Sequence, residues 1–129
     1  MGKQIILSVS IVLFNENLTE LTKTIDCFLE LPIQKKLFLI DNTPKNIFKN
    51  KFNHEEIEYI SQDDNIGFGA GHNKIIHKIK GLSKFHLILN PDVIFKSTIL
   101  TNLIIQLEKD KNISMIAPKV LFPNGIHKY

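Results

Sequence analysis

A chain of 129 residues with 43% hydrophobic and 22% charged side chains sits in the ordinary range for one globular domain with its own core. Its net charge of +3 and pI near 9.0 suit a phosphate-bearing ligand or an acidic membrane surface. The scattered lysines, with one compact group at Lys45, Lys49 and Lys51, form no basic stripe with interleaved aromatics, which argues against nucleic acid as a partner.

Cys27 is the sole cysteine, so there is no internal disulfide and no cysteine-rich metal site. It falls on an apolar helical face and reads as a core filler. The run Gln4–Phe14 is apolar and β-branched, as a doubly buried strand should be. It holds Ser8 and Ser10, lacks a small-residue cleavage site and runs into Asn15-Glu16-Asn17, which fits a strand better than a secretion signal. No stretch is long and apolar enough to cross a bilayer, and the expected location is cytoplasmic, with the inner membrane face as a further option.

Asn15 is expected to cap a helix in which Leu18, Leu21, Ile25, Phe28 and Leu29 recur at helical spacing, closed by Pro32. Leu37–Ile40 reads as a second buried strand and Ile57–Ile60 as a third, with a polar loop across residues 45–54 between them. Ile66–Asn73 opens a helix carrying Ile75, Ile76 and Ile79. Phe85–Leu89 is the fourth strand. Ser97 begins a helix with Ile99, Leu100, Leu103, Ile104 and Leu107 on one face. Ser114–Ala117 is expected to form a last short strand, and Leu121–Gly125 a turn.

Alternating strands and helices predict an α/β, Rossmann-like fold: a mainly parallel sheet with helices on both faces. Right-handed crossovers place the strands in the order third, second, first, fourth. Should half of a larger domain be missing, the edge beside the fourth strand is open, and apolar surface there would favour a homo-oligomer.

Three strands end in abrupt polar stops: Asn15, Asp41-Asn42, and Asn90-Pro91-Asp92. In a parallel sheet these share the carboxyl edge, where open α/β folds bind ligands. Pro91 cannot donate to a sheet ladder and turns the chain. It leaves one amide and one carboxylate to hold a hard cation or a ribose hydroxyl. Gly67, Gly69 and Gly71 precede a helix, where backbone amides can approach an anion. Their alternating spacing matches neither the dinucleotide fingerprint nor a P-loop, and close helix packing explains them equally well. His72 and His77 lie on different helical faces, so a zinc pair is not expected. His54, His86 and His127 have no metal-like spacing.

The order of these segments resembles the amino-terminal half of family-2 glycosyltransferases of the GT-A fold, in their rhamnosyltransferase-like branch. The segments are Ser8–Asn15, Leu39–Thr43, Asn65–Asn73, Leu89–Val93 and Met115–Leu121, followed by Pro123-Asn124-Gly125. The resemblance implies an inverting transfer from a nucleotide-diphosphate sugar, such as dTDP-rhamnose or a UDP-sugar, to a glycan or lipid-linked acceptor in polysaccharide or cell-surface glycan synthesis. It implies that Phe14 packs near the base beside Asn15, that Asp41 contacts the base, and that Asn65, Gly67 and Asn73 line the nucleotide pocket. Asn90 and Asp92 match the Asp-x-Asp motif, with Asp92 holding the Mg²⁺ or Mn²⁺ that bridges the diphosphate.

Asn90 stands where the family's first aspartate is usual, which lowers the charge of the site. The family's catalytic base belongs to an acceptor-binding half beyond the metal motif. After Asp92 the only acids are Glu108 and Asp110, which read as solvated charge at a helix end. The chain is therefore expected to be the donor-binding part of such a domain, cut before the acceptor half. The alternative is a non-catalytic nucleotide-binding or interaction module on the same half-fold.

Overall fold

The computed structural model describes residues 4–123, and the chain divides between Ile94 and Phe95 into two compact units. The first unit contains four strands: β1 (Ile5–Leu13), β2 (Lys35–Asp41), β3 (Ile57–Ser61) and β4 (Ser83–Ile88). They form one sheet in the order β3-β2-β1-β4, with every pairing parallel. This is the predicted α/β arrangement and strand order.

β1 lies in the centre, and from Leu7 to Leu13 every residue is buried. Its two faces meet different partners. On one face, Val12 joins Phe38, Ile40 and Ile75 in a core that Ile60, Ile79 and Leu82 complete. On the other lies α1 (Leu18–Leu29), which buries Leu21, Thr24, Ile25 and Phe28. The Phe28 ring lies 5.4 Å from the ammonium of Lys35, whose register partner is Leu7. The helices thus cover opposite faces, as alternating side-chain direction along β1 requires.

Asn15 does not cap α1. It has φ 54° and turns the chain out of β1, a left-handed conformation that asparagine tolerates better than most residues. The cap is Asn17, whose side chain accepts from the Glu20 backbone N–H at 3.1 Å. The helix expected after Ile66 is broken into α2 (Phe68–Asn73) and α3 (Ile76–Ile79). Ile75, with φ −104° and ψ 1°, separates the two and is fully buried. The polar loop between β2 and β3 holds a 3₁₀ turn at Pro44–Asn46.

The second unit contains α4 (Ser97–Lys109). Leu100 is buried and Leu103, Ile104 and Leu107 are half-buried, while Ile99 is exposed. The strand expected at Ser114–Ala117 does not form: residues 113–120 have no regular structure, and Met115 is 89% exposed. Four residues of suitable composition make a strand only where a neighbouring ladder takes their hydrogen bonds. The turn expected at Leu121–Gly125 runs past the described residues, as does His127. Among the described residues, no helix is long and apolar enough to cross a membrane.

Candidate functional site

Parallel pairing brings the ends of β1, β2 and β4 to one edge, and a cleft of about 370 Å³ opens there. β1 and its exit supply Val12, Phe14 and Glu16, and the end of β2 supplies Asn42. The loop into α2 adds Asn65, Gly67 and Phe68, and the turn after β4 adds Asn90, Pro91 and Asp92. That last turn is fixed from outside the cleft: the Thr24 hydroxyl of α1 donates to the Pro91 carbonyl at 2.8 Å.

One part of the cleft is aromatic and amide-lined. Phe14 and Phe68 are 44% and 53% exposed, which leaves ring surface in the cleft able to stack on a flat ligand. Asn65 Oδ1 accepts the Gly67 N–H at 3.0 Å, which shapes the tight turn where Gly67 holds φ 87°. Asn42 is only 1% exposed. Its Nδ2 donates to the Gly67 carbonyl at 3.2 Å and to Asn65 Oδ1 at 3.4 Å, while its Oδ1 has no partner. A buried amide carbonyl left unpaired is costly.

The other part is acidic. Glu16 and Asp92 both line the cleft, and no basic side chain does. The Glu16 carboxyl is raised above the usual range, chiefly by burial and further by the Asp92 charge, against a lowering from the Phe14 N–H. That N–H lies 3.4 Å from Glu16 Oε1. Two carboxylates and the Asn90 amide oxygen are hard donors. The described residues contain no group of three acids, histidines or cysteines fit to hold a metal. The donor set nonetheless fits Mg²⁺ or Mn²⁺, since magnesium often rests on one or two carboxylates and takes remaining oxygens from water and substrate phosphates.

Phe14, Asn65, Gly67, Asn90 and Asp92 are therefore together in one cleft. Asp41, Asn15 and Asn73 are not in its lining. Asp41 is fully buried, with Oδ1 accepting the Thr43 N–H at 2.8 Å and Oδ2 accepting the Tyr59 hydroxyl at 2.6 Å. The Asn15 N–H donates to Thr43 Oγ1 at 2.9 Å, which joins the ends of β1 and β2. Asn73 is exposed at the last position of α2.

Sequence reasoning gave no site role to Glu16 or Phe68, and named Asn42 only as part of a polar stop. Glu16 and Asn42 each follow a buried strand by a few residues, the same signal that singled out Asn90 and Asp92. Phe68 sits inside the glycine stretch, where an exposed aromatic is itself a binding cue. No protein-family model matches the chain, and no curated protein matches it.

Proposed function

We propose that the cleft binds a nucleotide-diphosphate sugar together with a divalent cation, as the donor site of a family-2-type glycosyltransferase. The observation carrying this reading is the joining, in one cleft, of Asn90 and Asp92 with Phe14 and the Asn65–Gly67 turn. Phe14 and Phe68 stack on the base or sugar ring, and Asn42 Oδ1 accepts an N–H or hydroxyl from the ligand. With two carboxylates and no lysine in the lining, a diphosphate enters only with its charge offset. Asp92, Glu16 and Asn90 would hold Mg²⁺ or Mn²⁺, which when bound supplies Lewis-acid stabilisation of the charge on a departing diphosphate. The acceptor is a glycan or lipid-linked sugar, and the site of action is the cytoplasm or the inner membrane face.

A binding role without transfer is the second reading. An inverting transfer needs a carboxylate to take the acceptor proton. Among the described residues the cleft offers only Glu16 and Asp92, both assigned here to the cation. Calorimetry with UDP-, dTDP- and GDP-sugars, with and without Mn²⁺, tests the shared claim. We expect binding of at least one donor, strengthened by the metal, and binding of none would refute it. Release of nucleotide on adding acceptor then separates transferase from binding module.

A further inference from the structure

On the sheet face that carries α2 and α3, five polar side chains form an unbroken chain that the proposed function does not use. The Ser83 hydroxyl donates to Ser8 Oγ at 2.7 Å or to the Phe85 carbonyl at 3.0 Å. Ser8 Oγ lies 2.7 Å from His86 Nδ1, and Ser10 Oγ lies 2.9 Å from His86 Nε2. Ser10 Oγ also lies 2.7 Å from His72 Nδ1. The far nitrogen, His72 Nε2, is buried without a partner.

Counting protons restricts the chain. Ser10 has one hydrogen to give and stands between two ring nitrogens. With both rings neutral, one nitrogen accepts from Ser10 and the other donates to it. The rings must therefore hold matching tautomers, both Nδ1–H or both Nε2–H. With both as Nε2–H, His72 Nε2 is an orphaned buried donor. With both as Nδ1–H, every donor has an acceptor, because Ser8 then turns its hydrogen to the Phe85 carbonyl at 3.4 Å. Orphaned buried N–H groups are rarer than bare acceptors, so the Nδ1–H pair is favoured.

The chain bridges the cleft wall to the sheet. His72 belongs to α2, whose first residue, Phe68, lines the cleft and meets the His72 ring edge-on at 4.4 Å. Beside it Gly71 lies tight against Val12, so α2 is held to β1 at the adjacent inward positions Ser10 and Val12.

We propose that the His72–Ser10–His86 bridge is an acid-sensitive latch that fixes α2, and with it the Phe68 wall of the cleft, against β1. Protonating both rings puts an N–H on each side of Ser10, leaves the Ser10 hydrogen without an acceptor, and sets two cations against one hydroxyl. The charged and titratable groups on the flanking elements do not relieve this. Lys74, His77 and Lys78 come from the α2–α3 segment, Lys84 shares the His86 side of β4, and Lys36 lies on β2. Glu58 of β3 is the one carboxylate on this face among the described residues, and it is paired with Lys78 at 2.9 Å. His72 is buried, whereas part of His86 stays exposed to solvent; desolvation lowers the pKa of both rings, and the neighbouring His72 lowers that of His86 further.

Nitrogen-15 NMR of the histidine rings, followed from pH 7.5 to 4 with amide exchange at Gly71 and Lys74, tests the latch without any ligand. We expect matched Nδ1–H tautomers at neutral pH, midpoints below about 6.5, and loss of Gly71 and Lys74 protection across the same range. In Ser10→Ala, the midpoint of His86 should move up and acid exchange of α2 should no longer track it. Opposite tautomers, ordinary midpoints, or α2 protection that persists through the histidine titration would each overturn the proposal. So would a folded Ser10→Ala protein with unchanged titration. If that variant does not fold, the wild-type tautomers and titration decide alone.

Discussion

Tyr59 donates its hydroxyl to Oδ2 of Asp41 at 2.6 Å, and the Thr43 N–H takes Oδ1 at 2.8 Å, so both oxygens of this fully buried carboxylate are engaged within the protein. The pair ties β3 to the end of β2 and holds Thr43 where it receives the Asn15 N–H. Asp41 therefore shapes the edge of the cleft from behind it.

Asp41→Ala should accordingly lower stability before it changes any affinity. It orphans the buried Thr43 N–H, at about 1–3 kcal/mol, and frees the part-buried Tyr59 hydroxyl at a smaller cost. Urea unfolding should show a clear drop in midpoint, with Tyr59→Phe costing less because Asp41 keeps Thr43. Unchanged stability in Asp41→Ala, with lost nucleotide binding, would restore Asp41 as a base contact. Burial first, and then Asp41, raise the Tyr59 pKa above its ordinary value. The stability this contributes is fully present below about pH 10 and is lost as pH rises through the higher folded value.

Gly71 has a packing role. A Cβ there would stand 2.7 and 2.9 Å from the two Val12 methyls, inside contact distance and against a residue only 6% exposed. Gly71→Ala should destabilise by about 1–3 kcal/mol, as overpacking does. Adding Val12→Ala should recover part of the loss in a double-mutant cycle. Additive effects of the two substitutions would place the contact elsewhere.

Proton competition at Glu16 gives the cleft a pH dependence. Its pKa is raised, first by burial, so the folded apo protein binds a proton where the unfolded chain does not. As pH rises from about 4.5 through the raised value, the apo protein loses stability, while the site gains the charge a cation needs. Metal-assisted nucleotide binding should weaken as pH falls through that raised value. In Glu16→Gln this acid dependence should flatten while weaker binding remains, as titration calorimetry at several pH values would show.

The strand order was legible because four apolar runs, three of them closed by an abrupt polar stop, admit few right-handed parallel arrangements. Local conformations were harder to read. Asn15 and Asn17 are both capable caps, and only the backbone decides: Asn15 is in the left-handed region, whereas Asn17 is extended, with its side chain at Glu20 N–H. Ser114–Ala117 has the composition of a strand and no regular structure, because composition does not supply a pairing partner. In the site, Asp92 was visible through its proline turn. Glu16 and Asn42 carried the same polar-stop signal, and parallel pairing brings them together by setting the ends of β1 and β2 side by side, with Leu13 opposite Asp41. The spacing of His72 and His86 carries no signal. The register does, since it places Ser8 opposite His86 across β1 and β4.

The central claim is that Asp92 holds a cation through which a nucleotide diphosphate binds. It is tested most directly by calorimetric titration of UDP into the wild-type chain and into Asp92→Asn, each with and without Mn²⁺. The account predicts that Mn²⁺ strengthens UDP binding to the wild type, binds weakly without nucleotide, and makes no difference to Asp92→Asn, whose fold is unchanged by circular dichroism. UDP affinity that is indifferent to Mn²⁺ in the wild type, or an equal Mn²⁺ effect in the folded Asp92→Asn protein, would contradict it.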